Sequence, residues 1–414
     1  MNINFNEYAG ECSCGKSHDI ITKAAVIEPD CLLNIEKYLA QYGIHGKRMA
    51  LYDEHTFAAT ADRHPAADQV IIMNPEGLHA DEKSTAEVLA KMEEDVEVIL
   101  AVGSGTICDI ARFCAHEKGI SFVACATGAS VDGFCSNVAA MTWYGYKKTW
   151  PAVPPTLVIA DISIIRKAPA ELIKSGVGDI FAKYIALADW KIARALTGEY
   201  FCERIYHLMW KAVDTVAKGV DKIVSGNPEA FADVTYALVM SGIAMQMMGN
   251  SRPASGAEHH MSHMIEMGAT SLDVQFPALH GEKTGVGTLV AAEEYKKLTA
   301  MEKLTFKDYA PMTEETIEEY YGAALKDAII EENKEDCLAK VTKELLEENW
   351  QKICAFVKEI PDPEVIFAKL EQMDAKRTLE SIGVSEDKKE ILINYSPMVR
   401  NRLTLMRIRR MIEF

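Results

Sequence analysis

The chain has 414 residues, of which 49% are hydrophobic and 25% charged, and 61 acidic against 44 basic side chains give a formal net charge of −17. This composition is that of a globular protein of two or three domains, at about 100–200 residues per domain, and it excludes disordered and collagen-like chains. The acidic balance argues against nucleic acid and a constitutive anionic membrane surface as partners, because clustered lysine and arginine bind both. A small anionic substrate stays compatible with it, since a helix N-terminus and a few cations suffice for one phosphate.

The N-terminal region and the cysteines indicate the compartment. The N-terminus lacks the basic and apolar regions of a secretory signal, and no run reaches the about 20 consecutive apolar residues of a membrane span. Ten scattered cysteines are typical of reduced cytosolic thiols. We therefore expect a cytoplasmic enzyme that binds neither membrane nor nucleic acid. Cys12 and Cys14 with His18 resemble half of a zinc site, but no second Cys/His pair at structural-site spacing lies nearby. Two thiols on a mobile N-terminus are the favoured interpretation.

Short strand patterns alternate with helical patterns over the first 165 residues. The predicted strands are Arg48–Tyr52, Gln69–Met73, Val96–Val102, Ser121–Cys125 and Thr156–Ala160. The predicted helices between them are Cys31–Tyr42, Thr85–Glu94 and Ile107–Lys118. Strands that alternate with helices predict a parallel sheet with crossovers, and so an α/β nucleotide-binding domain over residues 1–165.

The pattern changes to apolar residues at i, i+3, i+4 and i+7 in the rest of the chain, which predicts an all-helical domain over residues 166–414. The clearest predicted helices are Asp179–Ala195, Tyr200–Val224, Pro228–Met248 and Met312–Glu332. Five arginines between Arg400 and Arg410 suggest either an anion-binding tail or a C-terminal helix whose arginines offset its dipole and pair with an acidic surface. We favour the second interpretation.

Two small-residue loops follow predicted neighbouring strands. The sequence GSGT at 103–106 comes directly after Val96–Val102 and opens a helix, where backbone amides can approach a phosphate. The third glycine of the usual dinucleotide fingerprint is replaced by Cys108, so a tight turn without a ligand is equally compatible with this loop alone. The loop TGASVDG at 127–133 follows the next strand, and Asp53 closes an earlier one. Such loops at neighbouring strand ends form the crevice in which open α/β sheets bind nucleotides, and together they predict a nucleotide cofactor.

Three segments of the helical half carry potential metal ligands. Asp179 follows two glycines and is expected in the first turn of a helix, with Lys183 one turn later. His259 and His263 share a helix face at i, i+4, and His280 stands at a turn before an apolar helix. One carboxylate and two imidazoles leave open positions on a divalent cation, as a catalytic metal requires. Each histidine by itself is more often a packing or surface residue, and spacing does not show that these segments meet.

The motifs GSGTICDIARF, TGASVDG, SGVGDIFAK, SRPASGAEHHMSH and LHGEKTG occur in the order seen in sn-glycerol-1-phosphate dehydrogenases. Over roughly residues 45–290 the chain resembles the bacterial branch of that family. The family belongs with the iron-containing alcohol dehydrogenases, glycerol dehydrogenases and dehydroquinate synthases. The resemblance implies a dehydroquinate synthase-like fold, in which a Rossmann-like α/β domain precedes a helical domain that binds metal and substrate.

The resemblance also implies site residues. The implied metal ligands are Asp179, His259 and His280. The implied substrate contacts are Asp132, Asp179 and His263, of which the last two are also the expected catalytic residues. The implied cofactor contacts are Asp53, Gly103, Ser104, Gly105, Thr106, Ile107, Thr127, Gly128, Ala129, Ser130 and Ser136. Family members use NAD or NADP with zinc or nickel, and iron is a further option.

The implied reaction interconverts dihydroxyacetone phosphate and sn-glycerol 1-phosphate, a step of phospholipid metabolism, in a homo-oligomer of two or more subunits. A metal would polarise the ketone, the nicotinamide would supply hydride, and water or His263 would relay a proton. A dehydrogenase of another polyol or polyol phosphate would share every motif. A dehydroquinate synthase-like lyase is a further alternative, but it normally places Glu at the position of Asp179. A non-catalytic binding protein is another, but it would not need the intact metal ligands. Candidate cations for a substrate phosphate are Lys147, Lys148, Arg252 and Lys283.

Overall fold

The structure is a computed structural model that describes residues 1–143 and 146–413, with the backbone alone for residues 146–149. The chain divides into two compact units. Unit 1 comprises Met1–Gly176 and Asp214–Asn250, and unit 2 comprises Val177–Val213 and Ser251–Phe414. The division into functional domains 1–165 and 166–414 stays a prediction.

The described residues form thirteen β-strands and seventeen α-helices. The strands are β1 (Asn2–Asn4), β2 (Gly10–Glu11), β3 (Ser17–His18), β4 (Ala24–Glu28), β5 (Arg48–Asp53), β6 (Gln69–Met73), β7 (Val98–Gly103), β8 (Ser121–Ala126), β9 (Val138–Trp143), β10 (Tyr146–Pro151), β11 (Leu157–Asp161), β12 (Thr305–Phe306) and β13 (Ile412–Glu413). The α-helices are α1 (Ile35–Gln41), α2 (Glu54–Ala59), α3 (Glu82–Lys91), α4 (Gly105–Lys118), α5 (Ile162–Ile165), α6 (Ala170–Phe181), α7 (Lys183–Thr197), α8 (Glu203–Val224), α9 (Pro228–Met248), α10 (Ala257–Glu266), α11 (His280–Ala300), α12 (Glu314–Tyr321), α13 (Ala323–Glu332), α14 (Lys343–Lys358), α15 (Pro363–Gln372), α16 (Lys389–Tyr395) and α17 (Leu405–Ile408).

Unit 1 is built on a seven-stranded sheet in the order β1-β4-β11-β8-β7-β5-β6, in which every neighbouring pair is parallel except β1 with β4. The five predicted strands are all present, with ends within two residues of the prediction. The inner strand β4 was missed, because a short apolar run cannot be told from a buried helix by its periodicity, although Pro29 and Asp30 directly after it were a usable turn signal. The predicted parallel sheet is thus confirmed.

The register of β7 and β8 brings the two small-residue loops to one edge of the sheet. Gly103 at the end of β7 pairs with Ala126 at the end of β8. The backbone carbonyl of Gly103 also accepts a hydrogen bond from the amide of Thr127, at 3.1 Å. Parallel strands carry their carboxyl ends to the same edge, where an open α/β sheet binds its ligand. The predicted meeting of the two loops follows from this pairing.

After β11 the described elements are helices, apart from the two-residue strands β12 and β13. The predicted helix Asp179–Ala195 is divided at Ala182 between α6 and α7. The predicted helix Met312–Glu332 is divided at Gly322, whose φ of +86° interrupts the helical backbone. By length and composition α9 is apolar enough to cross a membrane, with a mean hydropathy of 1.2, but 72% of that window is buried inside the protein. A buried core helix of a globular unit has the same composition.

The predicted C-terminal surface helix is wrong. Only the four residues of α17 are α-helical there, and the side chain of Arg407 is completely buried. Its guanidinium contacts Asp336 at 2.7 Å and donates to the backbone carbonyl of Pro397 at 2.7 Å. Buried carbonyl groups need donors, and an arginine with five N–H groups satisfies several of them at once. The C-terminal arginines therefore include interior residues of unit 2 that an amphipathic pattern could not identify.

Candidate functional site

Unit 2 brings the three predicted metal ligands together from separate helices. Asp179 lies in α6, His259 in the first turn of α10, and His280 begins α11. One ligand atom of each lies within 4.8 Å of the others. The expectation that Asp179 stands in a first helical turn is wrong, because it is the third residue from the end of α6. The cluster arises from the packing of these helices, which the sequence spacing did not show.

The glycine before Asp179 is required by close packing. A Cβ atom on Gly178 would stand 2.2 Å from the backbone carbonyl oxygen of Gly281 and 3.4 Å from Cα of Gly285. Helix α6 therefore touches the first turns of α11 backbone to backbone, which any side chain at position 178 would prevent. This contact joins the helix of Asp179 to the helix that begins at His280.

Asp179 is a buried carboxylate surrounded by cations. Its Oδ1 accepts a hydrogen bond from the Nζ of Lys183 at 2.9 Å, and both side chains are completely buried. Burial alone would raise the pKa of Asp179, but the ammonium of Lys183 and the imidazoles of His259 and His280 hold that pKa well below its ordinary value. The carboxylate is therefore ionised, as a metal ligand must be.

His259 is oriented by the neighbouring Glu258. The Nδ1 of His259 lies 2.7 Å from Oε1 of Glu258, which also accepts a hydrogen bond from the amide of Gly256 at 2.8 Å. The Nε2 lies 3.6 Å from Oδ1 of Asp179. Burial lowers the pKa of His259, but the carboxylates of Asp179 and Glu258 outweigh it and raise that pKa to about 9. The position between the two carboxylates thus favours a cation, and a divalent metal on Nε2 would displace the proton.

His280 has the same arrangement on the other side of the cluster. Its Nδ1 lies 2.8 Å from Oε1 of Glu266, and the Nζ of Lys283 lies 3.0 Å from the same oxygen. A carboxylate that holds one imidazole nitrogen leaves the other available to a metal. Two oriented imidazoles and one buried carboxylate form a donor set that fits a divalent cation with open coordination positions. Sequence reasoning missed Glu258 and Glu266, although an acidic residue directly before His259 was a usable signal.

His263 lies beside this cluster. Its ring centroid is 5.9 Å from that of His259 and 5.8 Å from that of His280. It also forms a second group of potential ligand atoms, within 4.8 Å, with Glu266 and His280. Burial lowers the pKa of His263 well below its ordinary value, so its ring is neutral. A neutral imidazole can accept a proton at one nitrogen and donate one at the other.

Replacing Glu258 by Gln is expected to lower metal affinity by about 10–100-fold, because the carboxylate that orients His259 is lost while the ligand itself stays. Titration of the metal-free protein with Zn²⁺ and a competing chelator measures the effect. The matched control is Glu282→Gln, since Glu282 accepts a hydrogen bond from the backbone amide of Leu279 at 2.8 Å. Equal affinities for the Glu258→Gln variant and the unaltered protein would show that Glu258 does not support the site.

Unit 1 holds the predicted cofactor residues around the start of α4. Ser104 is the N-cap of this 14-residue helix and makes no side-chain capping hydrogen bond, so its hydroxyl does not occupy the first-turn amides. A Cβ on Gly103 would stand 2.5 Å from Cβ of Ile107, and one on Gly105 would stand 3.1 Å from Cγ2 of Val131. The backbone therefore turns tightly from β7 into α4 and presents a helix N-terminus, where anions bind.

A cavity of about 430 Å³ in unit 1 lies beside this turn. Three of the predicted cofactor residues line it: Asp53, Ser104 and Thr127. Arg63 and Lys167 also line it, and the carboxylates of Asp53 and Asp62 balance their charge. The predicted contacts that do not line the cavity are Gly103, Gly105, Thr106, Ile107, Gly128, Ala129, Ser130 and Ser136. The structure thus places only part of the predicted set around one space.

The second loop is held by contacts with helix α6. A Cβ on Gly128 would stand 2.7 Å from Cδ1 of Leu172, a residue of the cavity wall. The carbonyl of Ser130 accepts a hydrogen bond from the hydroxyl of Ser175 at 2.9 Å, and the Oγ of Ser136 accepts one from the amide of Val138 at 3.1 Å. These contacts fix the loop without filling the cavity.

Asp132, the predicted substrate contact of unit 1, is buried. Its Oδ2 accepts a hydrogen bond from the hydroxyl of Ser241 at 2.8 Å. The guanidinium of Arg112 holds the adjoining backbone by donating to the carbonyls of Phe134 at 2.9 Å and Val138 at 2.6 Å. The carboxylate therefore stands in a turn that hydrogen bonds from Arg112 and Ser241 hold in place.

The cations that are candidates for binding a substrate phosphate differ in their contacts. The guanidinium of Arg252 is buried and donates to the carbonyls of Asp189 at 3.0 Å and Leu403 at 2.8 Å, which marks it as a structural residue. Lys283 lies one turn from His280 in α11, and its Nζ contacts Glu266, the carboxylate that orients His280. The side chains of Lys147 and Lys148 lie outside the described residues.

Comparison with known proteins identifies the class of fold. The family model described as iron-containing alcohol dehydrogenase matches residues 26–169. Among solved structures, an iron-containing alcohol dehydrogenase from Corynebacterium glutamicum is similar with a TM-score of 0.63 and 15% sequence identity, over 94% of each chain. The fold is therefore that of the iron-containing alcohol dehydrogenases, as the resemblance implied.

Two relatives with the same name identify the family within this class. A glycerol-1-phosphate dehydrogenase (NAD(P)+) of Geobacillus stearothermophilus is 31% identical over 412 residues, which cover 96% of this chain and 95% of the relative. A protein of the same name from Geobacillus thermodenitrificans is 34% identical over 307 residues, which cover 71% of this chain and 75% of the relative. The chain belongs to the glycerol-1-phosphate dehydrogenase family. The family resemblance found in the motifs is confirmed.

Proposed function

We propose that this protein is a metal-dependent, NAD(P)-linked oxidoreductase that interconverts dihydroxyacetone phosphate and sn-glycerol 1-phosphate. The observation that carries the proposal is the cluster of Asp179, His259 and His280 in unit 2, whose two imidazoles are each oriented by a separate carboxylate. The proposed reaction follows from membership of the glycerol-1-phosphate dehydrogenase family. We assign nucleotide binding to residues 1–165 and metal and substrate binding to residues 166–414, in a cytoplasmic homo-oligomer.

Asp179, His259 and His280 would hold the metal, with zinc or nickel as the first choice and iron as the next. When bound there, a divalent ion supplies a Lewis acid that polarises the substrate carbonyl. Lys183 keeps Asp179 ionised, and Glu258 and Glu266 keep one nitrogen of each ligand histidine protonated and turned away from the ion. The open coordination positions leave room for a substrate oxygen.

The neutral ring of His263 is the proton carrier in this proposal. It lies on the same face of α10 as His259, one turn along the helix, beside both ligand imidazoles. When a ketone is reduced, its oxygen takes up a proton, and a neutral imidazole can relay one to it from solvent. Asp132 and Asp179 are the carboxylates assigned to the substrate hydroxyls.

NAD or NADP would bind to unit 1, and the reduced nicotinamide supplies the hydride. The amides at the N-terminus of α4 bind the pyrophosphate, with Ser104 and Thr127 at the cavity wall. Asp53 lies at the end of β5, where an acidic side chain accepts the ribose hydroxyls of NAD. The flanking predicted contacts, from Gly105 to Ser136, shape the backbone around these groups.

Replacing Asp53 by Asn is expected to raise the kcat/KM for NADPH relative to that for NADH by about tenfold, because a carboxylate in this place repels a ribose 2′-phosphate. The side chain of Asp53 also caps α2 by accepting from the amide of Thr56, and an Asn keeps that acceptor. Asp81→Asn is the matched control, since Asp81 caps α3 through the same capping box. If the ratio of the kcat/KM values for NADPH and NADH is unchanged in the Asp53→Asn variant, Asp53 does not contact the cofactor.

Lys283 is the proposed contact of the substrate phosphate. Replacing it by Met keeps the aliphatic stem, and we expect kcat/KM for dihydroxyacetone phosphate to fall by about 10–100-fold, the equivalent of one charge-assisted hydrogen bond. The same constant for unphosphorylated dihydroxyacetone should stay within about twofold, because that substrate lacks the charge. A parallel loss with both substrates would mean that Lys283 acts through Glu266 and the metal ligands.

The experiment that tests the proposed function measures NAD(P)H oxidation on metal-free protein refilled with zinc, nickel, iron or manganese. The substrates are dihydroxyacetone phosphate, dihydroxyacetone and glyceraldehyde phosphate. The proposal expects the highest kcat/KM with dihydroxyacetone phosphate. A higher value with dihydroxyacetone would make the protein a polyol dehydrogenase, and no oxidation with any metal would indicate a lyase or a binding protein.

A further inference from the structure

The N-terminal hairpin of unit 1 carries two cysteines and a histidine that the proposed reaction does not use. Strands β2 and β3 pair antiparallel, with Gly10 opposite His18. In the turn between them the amide of Cys12 donates to the carbonyl of Lys16 at 3.1 Å, and the amide of Gly15 donates to the carbonyl of Cys12 at 3.0 Å. Gly15 has a φ of +85°, which the turn requires and a glycine adopts without strain.

The hairpin brings three potential metal ligands together. One ligand atom each of Cys12, Cys14 and His18 lies within 4.8 Å of the others. The Sγ of Cys14 is 3.5 Å from Nε2 of His18. The sequence favoured two thiols on a mobile N-terminus, whereas in the structure the hairpin and its hydrogen bonds bring the two thiols and the imidazole together.

His18 is oriented as a metal ligand. Its side chain is only 1% exposed, and its Nδ1 lies 2.8 Å from the backbone carbonyl of Met247, in the last turn of α9. A carbonyl oxygen can only accept, so Nδ1 carries the proton and Nε2 carries the lone pair. The nitrogen that faces the thiol of Cys14 is thus the one that can bind a metal. A backbone carbonyl on the other nitrogen is one of the common partners of a metal-binding histidine.

We propose that Cys12, Cys14 and His18 bind a structural zinc ion. Two thiolates and one imidazole are three of the four ligands of a closed tetrahedral zinc site, and sulfur ligands distinguish this site from the Asp179 cluster. Because the hydrogen bond of His18 reaches the end of α9, the bound ion ties the N-terminal hairpin to that helix. The site has no part in the proposed reaction.

Cobalt substitution tests the proposal without any variant. Metal-free full-length protein, kept reduced, is titrated with Co²⁺ while its ultraviolet and visible spectrum is recorded. The proposal expects a sulfur-to-cobalt charge-transfer band, which carboxylate and imidazole ligands cannot produce. The band should persist in His259→Ala, which lacks a ligand of the other cluster, and disappear in the double variant Cys12→Ser/Cys14→Ser.

Zinc content provides the second measurement. The double variant Cys12→Ser/Cys14→Ser should contain one zinc equivalent less than the unaltered protein and should unfold at a temperature lower by several degrees. The matched control is Cys337→Ser/Cys354→Ser, because those cysteines are half-buried like Cys12 and Cys14. Its zinc content should not change. Single serine variants of the other cysteines, followed by the same cobalt band, identify any further thiolate ligand.

Two outcomes would overturn the proposal. One is the absence of a charge-transfer band in the reduced unaltered protein, together with equal zinc content in the double variant. The other is a Cys12–Cys14 disulfide, found by mass spectrometry in protein isolated under non-reducing conditions with the cysteines blocked at lysis. Neither outcome bears on the proposed function, because neither measures turnover or involves the Asp179 cluster.

Discussion

His259→Ala is expected to remove the metal of the Asp179 cluster and the activity together. The substitution deletes one of the two oriented imidazoles and leaves the carboxylates of Asp179 and Glu258 without the group between them. We expect kcat/KM with dihydroxyacetone phosphate to fall by at least about 10³-fold, because the Lewis acid and the charge stabilisation are lost at once. Metal analysis of the purified variant and an NAD(P)H oxidation assay measure the two effects.

The control for this prediction is His207→Ala. His207 is exposed on α8 and packs edge-on against the ring of Tyr206, with centroids 5.4 Å apart. The same chemical change there should leave metal content and kcat/KM unaltered. An unchanged number of metal equivalents with full turnover in His259→Ala would refute the ligand assignment, whereas loss of one equivalent with full turnover would refute the catalytic role of that metal.

Gly178→Ala is expected to lower the free energy of unfolding by about 2–4 kcal/mol and to reduce metal affinity as well. The new Cβ would meet the backbone carbonyl oxygen of Gly281 at 2.2 Å, and a backbone atom cannot move aside as the end of a side chain can. Separation of α6 from α11 would also shift Asp179 relative to His280. Denaturant unfolding of the metal-free protein and a zinc titration measure the two effects separately.

Gly219→Ala is the matched control, with the opposite expected sign. Gly219 lies inside α8, and a Cβ there would have no atom within 4 Å. Alanine should therefore stabilise the helix by about 0.5–1 kcal/mol, because it reduces the backbone freedom of the unfolded chain. If both variants unfold alike, the close approach of α6 and α11 is not the reason for a glycine at position 178.

The net charge of −17 does not oppose the binding of an anionic cofactor. The cavity of unit 1 is lined by two cations, Arg63 and Lys167, and by two carboxylates, and it lies beside the N-terminus of α4. Arg63 contacts the carboxylates of Asp62 at 2.8 Å and Asp30 at 3.0 Å, which hold it in position. In unit 2, Lys183 and Lys283 stand at the ligand cluster. A helix N-terminus and individual cations act at short range, where the net charge of the whole chain has little effect.

Much of unit 1 could be predicted from local pattern. Five strands between Arg48 and Asp161 were found because short apolar runs ended at Gly, Pro or Asp, and the loops of the candidate cofactor site followed directly from them, whereas the hairpin strands β9 and β10 were not predicted. The pairing of Gly103 with Ala126 could be expected once the strands were parallel neighbours. The strand β4 was missed, because its burial between β1 and β11 depends on residues far away in sequence.

The ligand cluster of unit 2 could be predicted only in part from the sequence. Asp179, His259 and His280 could be proposed from their motifs, but their spacing along the chain says nothing about distance in space. The carboxylates that orient the two imidazoles, Glu258 and Glu266, were recognised only from their distances to the rings. A hydrogen bond depends on a few tenths of an ångström, which helix packing sets and sequence pattern does not.

The sequence by itself determined the class of fold, the acidic character of the surface and the residue types available for a metal and a nucleotide, because periodicity, turn residues and ligand chemistry are local properties. Only the tertiary structure decided which of those residues meet. It showed that Gly178 is needed for contact with α11, that Arg252 and Arg407 are interior donors, and that Cys12 and Cys14 stand beside His18. The physical reason is that such contacts arise between segments tens or hundreds of residues apart, or within turns whose hydrogen bonds fix side-chain distances.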